Sequence, residues 1–102
     1  MNAYLTFDLG TTRLKVAAFG ADGRLLSQQA ARHTEHRAGQ HTWQSTAQWW
    51  HNCIALTPRV MAEARLGAGD LLAIGVSGRG GAGIFLDEAG VTVAEPWADN
   101  LH

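Results

Sequence analysis

The residues whose types and spacing could support chemistry lie near the start of the chain, in Asp8-Leu9-Gly10-Thr11-Thr12-Arg13-Leu14-Lys15. Asp8 ends a short apolar run, and Gly10, Thr11 and Thr12 form a turn after it. Arg13 and Lys15 follow two positions apart at the start of the next apolar run, which places both on one face of a strand. Amides near Gly10 can converge on an anion, because glycine reaches conformations that other residues avoid. The hydroxyls of Thr11 and Thr12 can donate to phosphate oxygens, and Lys15 supplies a positive charge.

Asp8 fits the same chemistry as a ligand for hydrated Mg²⁺. Mg²⁺ keeps several of its waters, so one carboxylate together with phosphate oxygens is a sensible set of ligands. The alternative is a plain hairpin in which Asp8 and the threonines only satisfy the backbone of the turn. The local sequence leaves both interpretations open.

A second glycine-rich segment, Gly78-Arg79-Gly80-Gly81-Ala82-Gly83, follows an apolar run that ends at Ser77. It has the spacing of a dinucleotide-binding loop, and Asp99 lies 21 positions beyond Gly78. Such a loop must open a helix, whereas Ile84-Phe85-Leu86-Asp87 leads into a turn, and no Gly-Lys-Ser/Thr follows. The segment therefore predicts a glycine-rich strand end that a ligand or another backbone approaches closely.

Three histidines, His33, His36 and His41, could place two imidazoles on one metal ion. The segment has no cysteine and only Glu35 as a carboxylate, so a metal site is poorly supported. Exposed histidines in a loop are the preferred interpretation.

The predicted helix carries two aromatic residues and the single cysteine. Trp50 follows the apolar stripe and is expected in the core, whereas Trp49 is expected to face outward or to meet another domain. Cys53 has no activating neighbour and is expected to be a buried, unreactive thiol.

Composition narrows the class of protein. The 102 residues allow one small domain, and a net charge of −1 argues against a nucleic-acid or an anionic-membrane partner. One cysteine excludes an intrachain disulfide, and the first residues lack the basic segment of a signal peptide. We therefore expect a cytoplasmic protein.

The elements that must position these residues begin with three strands joined by tight connections, which predict an antiparallel meander. The apolar runs are Tyr4 to Phe7, Leu14 to Phe19, and Leu25 onward after the turn Ala21-Asp22-Gly23. Residues 32–44 are polar and irregular and are interpreted as a loop or an edge excursion.

A helix follows, capped by Ser45 or Thr46. Its apolar stripe is predicted at Ala47, Trp50, Ile54, Met61 and Ala64, with Pro58 kinking or splitting it near Thr57 and with Gly67 and Gly69 ending it. Leu71 to Val76 is typical of a buried strand, and Ile84–Leu86 and Val91–Val93 flank a turn. The order βββ-α-β-hairpin predicts an α/β fold in which one main, Pro-kinked helix covers a mixed sheet.

Taken together, these segments resemble the N-terminal part of the FGGY family of carbohydrate kinases, such as xylulokinase, gluconokinase and glycerol kinase. Asp8 to Lys15 looks like the family's first phosphate motif, and Ala73-Ile74-Gly75-Val76-Ser77-Gly78 looks like its strand leading to the sugar site. Pro96-Trp97-Ala98-Asp99 is similar to its W-x-D segment, and Trp49-Trp50 fits the helix between them. The resemblance covers essentially the whole chain in the right order.

The resemblance implies a partial ribonuclease H-like, actin-like ATPase domain and transfer of the ATP γ-phosphoryl group to a sugar or polyol hydroxyl. It implies ATP and Mg²⁺ as cofactors, with Asp8 near Mg²⁺ through water and with phosphate contacts from Gly10, Thr11, Thr12 and Lys15. Sugar contacts are implied at Gly78, Arg79, Gly80, Gly81 and Asp99.

Three departures weaken the sugar half of the resemblance. Arg79-Gly80-Gly81 stands where family members often carry a Gln and larger residues, and Leu101 stands where an Arg usually follows the W-x-D segment. Trp43-Gln44-Ser45 lacks the acidic residue that often precedes the central helix. The phosphate half therefore matches the family better than the sugar half.

Length is the largest departure, because the family builds two domains around ATP and residues 1–102 match only the N-terminal part of the first. The resemblance implies that the catalytic base lies outside these residues, so we expect negligible turnover from this chain alone. The alternatives are a non-catalytic assembly module that pairs through open sheet edges, as in a homodimer, and a phosphate-binding module without a sugar role.

Overall fold

The computed structural model describes residues 2–78, 85–86 and 88–94. Along the chain the elements are β1 (Ala3–Leu9), β2 (Arg13–Gly20), β3 (Leu25–Arg32), β4 (Glu35–Ala38), β5 (His41–Gln44), α1 (Thr46–Ala64), β6 (Leu71–Gly78), β7 (Phe85–Leu86) and β8 (Thr92–Ala94). This is the predicted α/β order, with one hairpin more than expected.

The main sheet has the strand order β3-β2-β1-β6. β1, β2 and β3 form the predicted antiparallel meander, and β6 pairs with β1 in parallel. The parallel pair requires a crossover, which α1 supplies between β3 and β6. The mixed sheet with one main helix is therefore confirmed.

The turn between β2 and β3 is confirmed at Gly23, whose φ of 87° lies in the left-handed region that favours glycine. The Gly23 amide donates to the Gly20 carbonyl (2.9 Å), and Asp22 Oδ1 accepts from the Arg24 amide (3.0 Å). These bonds fix the end of the sheet that lies opposite the phosphate motif.

The core lies between α1 and one face of the sheet. Alternate residues of β1 and β2 point toward the helix, and the buried cluster includes Leu5, Leu14, Val16, Leu56 and Val60. A hydroxyl joins the two layers, because Ser27 Oγ on β3 donates to the Val60 carbonyl (2.7 Å).

The predicted apolar stripe of α1 is confirmed at Met61 and Ala64, which pack against the core, and is wrong in the first half of the helix. Trp49 is buried with 6% of its surface exposed, whereas Trp50 is 68% exposed, which reverses the expectation for both. The helix is apolar on two neighbouring faces, and sequence spacing could not tell which face meets the sheet. Ile54 lies on the exposed face with Trp50.

The ends of α1 differ in how well they were predicted. Ser45 is the N-cap, as expected, and its Oγ accepts from the Gln48 amide (3.2 Å). The C-cap is Arg65 in the left-handed conformation with φ 57°, so the expected ending at Gly67 and Gly69 is wrong.

Pro58 is expected to kink the helix or to split it near Thr57; the helix runs unbroken through Pro58, so the split is wrong. Proline removes one backbone donor from this turn. Thr57 Oγ1 donates to the Cys53 carbonyl (2.6 Å), which adds a hydrogen bond to the same turn.

Residues 35–44 form a β-hairpin rather than the expected loop. Its turn contains Gly39 with φ 63°, and His36 on β4 stacks against Trp43 on β5 with ring centroids 5.6 Å apart. The cross-strand ring pair stabilises strands whose composition is too polar to predict them.

The strand β6 is exposed, so the expectation of a buried strand is wrong. Leu72, Ile74 and Val76 are 55%, 59% and 78% exposed. Within the described residues β6 pairs only with β1, and α1 packs mainly on β2 and β3.

The final hairpin, β7 and β8, is confirmed, with Gly90 at φ 80° in its turn.

No helix in the described part of the chain is both long enough and apolar enough to cross a membrane.

Candidate functional site

The predicted phosphate residues gather at one end of the sheet, where β1 and β6 end. Register places Asp8 on β1 opposite both Lys15 on β2 and Ser77 on β6, so the three side chains share one face. This face is opposite the one that α1 covers, since Leu5 and Leu14 point to the helix. The carboxyl ends of parallel strands are the usual ligand-binding edge of open α/β sheets.

The turn Gly10–Thr12 connects β1 to β2 beside this row. Thr11 and Thr12 are exposed, so their hydroxyls are accessible to a ligand. Among the glycines with positive φ are Gly23, Gly39 and Gly90 but not Gly10, so the expected conformational role of Gly10 is wrong. Glycine is favoured there by close approach, because an added Cβ would lie 3.1 Å from the Arg13 carbonyl oxygen.

The carbonyl groups of this turn point to donors inside the protein. The Gly10 carbonyl is 3.0 Å from His33 Nε2, which must carry the proton because a carbonyl oxygen only accepts. The Thr11 carbonyl accepts from Gln44 Nε2 (3.0 Å), and the Thr12 carbonyl accepts from the His33 amide (2.9 Å). Three consecutive carbonyls are thus held on the interior side of the turn.

Trp49 completes the set of groups behind the turn. Its Nε1 donates to Gln44 Oε1 (3.1 Å), and its ring lies 5.7 Å from the His33 ring. Gln44 is only 3% exposed and His33 is 9% exposed. We call His33, Gln44 and Trp49 the turn-supporting cluster.

Positive charge surrounds the same end of the sheet. Arg13 on β2 lies directly opposite Arg32 on β3, and Lys15 follows on the same face of β2. Like charges in directly opposite positions repel each other. An anion bound at the turn would relieve the repulsion between the two arginines, and Asp8 would lie beside the anion.

The predicted sugar residues lie only partly within the described chain. Gly78 ends β6 opposite Leu9, so this strand end reaches the same edge as the phosphate turn. Arg79, Gly80, Gly81 and Asp99 lie outside the described residues.

Sequence reasoning missed several residues at this end of the sheet. His33 was interpreted as an exposed loop residue and is buried, and Gln44, Arg32 and Ser77 were not singled out as site residues. Strand register is the signal that would have found Arg32 and Ser77. In the described residues no group of three His, Cys, Asp or Glu side chains could hold a metal ion, so the histidine metal site finds no support.

A separate apolar groove of about 950 Å³ opens on the helix side of the sheet, between α1 and β6. Residues lining it include Phe7, Leu9, Trp50, Ile54, Ile74 and Val76.

Cys53 also lines the groove and is half-buried, and desolvation raises the pKa of its thiol. A raised pKa keeps the thiol protonated at neutral pH, in line with the expected low reactivity.

The mixed sheet, its crossover helix and the site at the strand ends define the N-terminal part of an actin-like ATPase fold. The sequence profile of the FGGY family of carbohydrate kinases, N-terminal domain, matches residues 3–100. The chain belongs to this family.

Solved structures agree on the fold. The ligand-bound xylulose kinase from Lactobacillus acidophilus superposes with a TM-score of 0.84 at 14% identity, over 98% of this chain and 20% of that protein. The gluconate kinase from Lactobacillus acidophilus gives 0.83 at 15% identity, over 97% and 20%. The xylulose kinase from Rhodospirillum rubrum gives 0.79 at 21%, over 94% and 20%.

This chain therefore spans about one fifth of these kinases. At such identities the likeness shows the fold alone. A search of curated proteins found no match to the sequence.

Proposed function

We propose that this chain is the phosphate-binding N-terminal part of an ATP-dependent carbohydrate kinase, a class of enzyme that transfers the γ-phosphoryl group of ATP to a sugar or polyol hydroxyl. The observation that carries the proposal is the end of the sheet where Asp8 and Lys15 are paired beside the exposed Thr11-Thr12 turn. Membership of the FGGY family supports the same function.

The donors at this edge fit a polyphosphate with its Mg²⁺. Gly10, Thr11 and Thr12 would bind phosphate oxygens through turn amides and hydroxyls, and Lys15 would add a point charge. Asp8 would hold Mg²⁺ through water, because a single exposed carboxylate leaves room for the waters that Mg²⁺ retains. ATP supplies the phosphoryl group, and these residues position it and neutralise its charge.

The sugar half of the site is proposed from the family resemblance. Gly78 stands at the shared edge, and Arg79, Gly80, Gly81 and Asp99 would follow around the substrate. The solved structures of similar fold include xylulose kinases and a gluconate kinase. A sugar or polyol is therefore the proposed substrate class for the protein that carries this domain, in the cytoplasm where ATP is available.

Residues 1–102 are proposed to form only part of the first kinase domain, and none of them is proposed as the catalytic base. Phosphoryl transfer to a hydroxyl needs a positioned proton acceptor and the closure of a second domain over ATP. We therefore expect this chain to bind Mg·ATP without measurable turnover. Robust turnover in a coupled ATP-to-sugar assay would contradict the statement that it is incomplete.

Titration calorimetry with Mg·ATP tests the proposed phosphate site. Lys15→Met keeps the length of the side chain and removes its charge, so the affinity should fall about tenfold, which corresponds to 1.4 kcal/mol. Arg24→Met is the matched control, because Arg24 lies at the opposite end of the sheet. Equal affinities for both variants and the natural chain would contradict the proposal.

The exposed groove favours a second candidate function, a non-catalytic module that assembles with a second copy of itself. In the described part of the sheet β6 is an edge strand whose apolar row includes Ile74 and Val76. A twofold interface would place this row against itself. Sedimentation should then show a concentration-dependent dimer that Val76→Asp disrupts. A monomer at all concentrations would exclude this function.

A further inference from the structure

We propose that His33, Gln44 and Trp49, the turn-supporting cluster, are positioning residues that hold the Gly10–Thr12 turn in its phosphate-binding shape. This inference rests on the proposed function. None of the three is placed on the exposed surface where phosphate would bind, so their effect on the ligand is exerted through the turn.

The cluster accounts for all three carbonyl groups of the turn. The His33 ring donates to the Gly10 carbonyl, and the His33 amide donates to the Thr12 carbonyl. The Gln44 side chain donates to the Thr11 carbonyl. An anion is repelled by carbonyl oxygens and attracted by amide hydrogens and hydroxyls. Holding the carbonyls inward therefore removes the groups that would oppose phosphate, while the Thr11 and Thr12 side chains stay exposed.

Trp49 fixes the orientation of the Gln44 amide. Indole Nε1 can only donate, so it requires Gln44 Oε1, and the Gln44 amino group is then directed at the Thr11 carbonyl. If the Gln44 amide were rotated by half a turn, its amino group would face the Trp49 Nε1 donor and its oxygen would face the Thr11 carbonyl oxygen. With 3% of Gln44 and 6% of Trp49 exposed, water is poorly placed to replace either bond.

The hairpin contacts the phosphate turn directly through Gln44, and the helix acts on the turn through the bond from Trp49 to Gln44. Gln44 ends β5 and Trp49 lies in the first turns of α1, so the polar hairpin at 35–44 connects the core helix to the turn. The hairpin thereby supports the shape of the turn. A preformed turn binds phosphate without first having to be ordered.

Gln44→Met is the central test, because methionine has a similar size and can neither donate to Thr11 nor accept from Trp49. Gln48→Met is the matched control, since the hydrogen bonds of the Gln48 side chain go to the Thr34 amide (2.7 Å) and hydroxyl (2.8 Å) and not to the turn in the described structure. The first readout is hydrogen exchange of the His33 amide, which donates to the Thr12 carbonyl. The Gly20 amide, bonded to the Arg24 carbonyl (2.8 Å), reports on global opening at the far end of the sheet.

We expect Gln44→Met to speed exchange at His33 about tenfold and to leave Gly20 unchanged, because both buried hydrogen bonds of the Gln44 side chain are lost and the loss is local. Mg·ATP affinity, the second readout, should fall by a similar factor. Gln48→Met should change neither. Equal acceleration at His33 and Gly20 would show a structural role alone and would overturn the inference, as would no change at either.

Trp49→Phe is the second variant and decides the matter if Gln44→Met does not fold. It keeps an aromatic ring beside His33 and removes only the Nε1 donor, so the Gln44 amide is free to rotate. His33 exchange and Mg·ATP affinity should change in the same directions by about threefold. If this variant folds and its His33 amide exchanges as slowly as in the natural chain, the inference is refuted.

The two readouts separate this inference from the proposed function. If the natural chain does not bind Mg·ATP, the proposed function fails on that result alone. Local acceleration at His33 in Gln44→Met would then still establish that the cluster holds the turn. If Mg·ATP binds and Gln44→Met binds it equally well, the function stands and the positioning role is wrong.

Discussion

Replacing Gly10 by alanine tests the statement that the phosphate turn is closely packed. The new Cβ would lie 3.1 Å from the Arg13 carbonyl oxygen, and the same oxygen accepts from the Gly10 amide at 3.0 Å. Ordinary contact begins near 3.4 Å, so the turn must open by a few tenths of an ångström. His33 and Gln44 bind the flanking carbonyls and resist that movement.

The expected cost follows from these distances. Overpacking of a fixed site costs ~1–3 kcal/mol, and we expect the lower half of that range because the shift is small. The Gly10 φ lies outside the left-handed region, so no backbone penalty adds to it. The midpoint of thermal unfolding, Tm, of a domain this size should therefore fall by roughly 4–8 °C for each kcal/mol of stability lost. Mg·ATP affinity should also fall, because the turn amides move.

Two other glycines are matched controls. Gly69 has nothing within 4 Å of an added Cβ and an ordinary φ, so Gly69→Ala should be neutral or stabilising by ~0.4–1 kcal/mol. Gly23 also has open space but a φ of 87°, so Gly23→Ala should cost ~1–2 kcal/mol without changing Mg·ATP affinity. Urea unfolding followed by circular dichroism, with calorimetry for Mg·ATP, measures both quantities. If Gly10→Ala behaves like Gly69→Ala in both assays, the turn is not closely packed at Gly10.

Further predictions concern the core, the helix end and the thiol. Ser27→Ala should lower the free energy of unfolding by ~1 kcal/mol, because the buried bond to the Val60 carbonyl is lost, and an unchanged urea midpoint would contradict it. Arg65→Gly should raise that free energy by about 0.5–1 kcal/mol, because glycine adopts the left-handed C-cap without steric cost; a destabilised variant would show that the arginine makes a compensating contact. Alkylation of Cys53 should be slower at pH 7 than that of an unfolded control and should accelerate at a higher pH than for a free thiol, since burial raises its pKa; equal pH profiles would be inconsistent with the half-buried site.

The sequence predicted the strands best where local chemistry decides them. Gly23 and its aspartate specify a turn without help from the rest of the fold, and Ser45 caps the helix through its own side chain. The phosphate motif was recognisable for the same reason, because its residues are contiguous. Register then explains why Asp8 and Lys15 share a face.

The errors arose where long-range packing decides the outcome. Trp49 and Trp50 are equally apolar neighbours, and only contact with the sheet determines which is buried. Val76 is typical of a buried strand in composition, but the described residues place little against its face. His33 becomes part of the site through contacts 16 to 23 positions away in sequence, with Trp49 and Gly10, which no local pattern indicates.

A phosphate site at the Gly10–Thr12 turn is tested by titrating the isotope-labelled chain with Mg·ATP and following the chemical shifts of its backbone amides. We expect the largest changes at Gly10, Thr11, Thr12 and Lys15, smaller changes at Gly78 across the strand ends, and none at Gly23. Changes confined to the groove between α1 and β6, or no saturable change at the turn, would contradict a phosphate site at this end of the sheet.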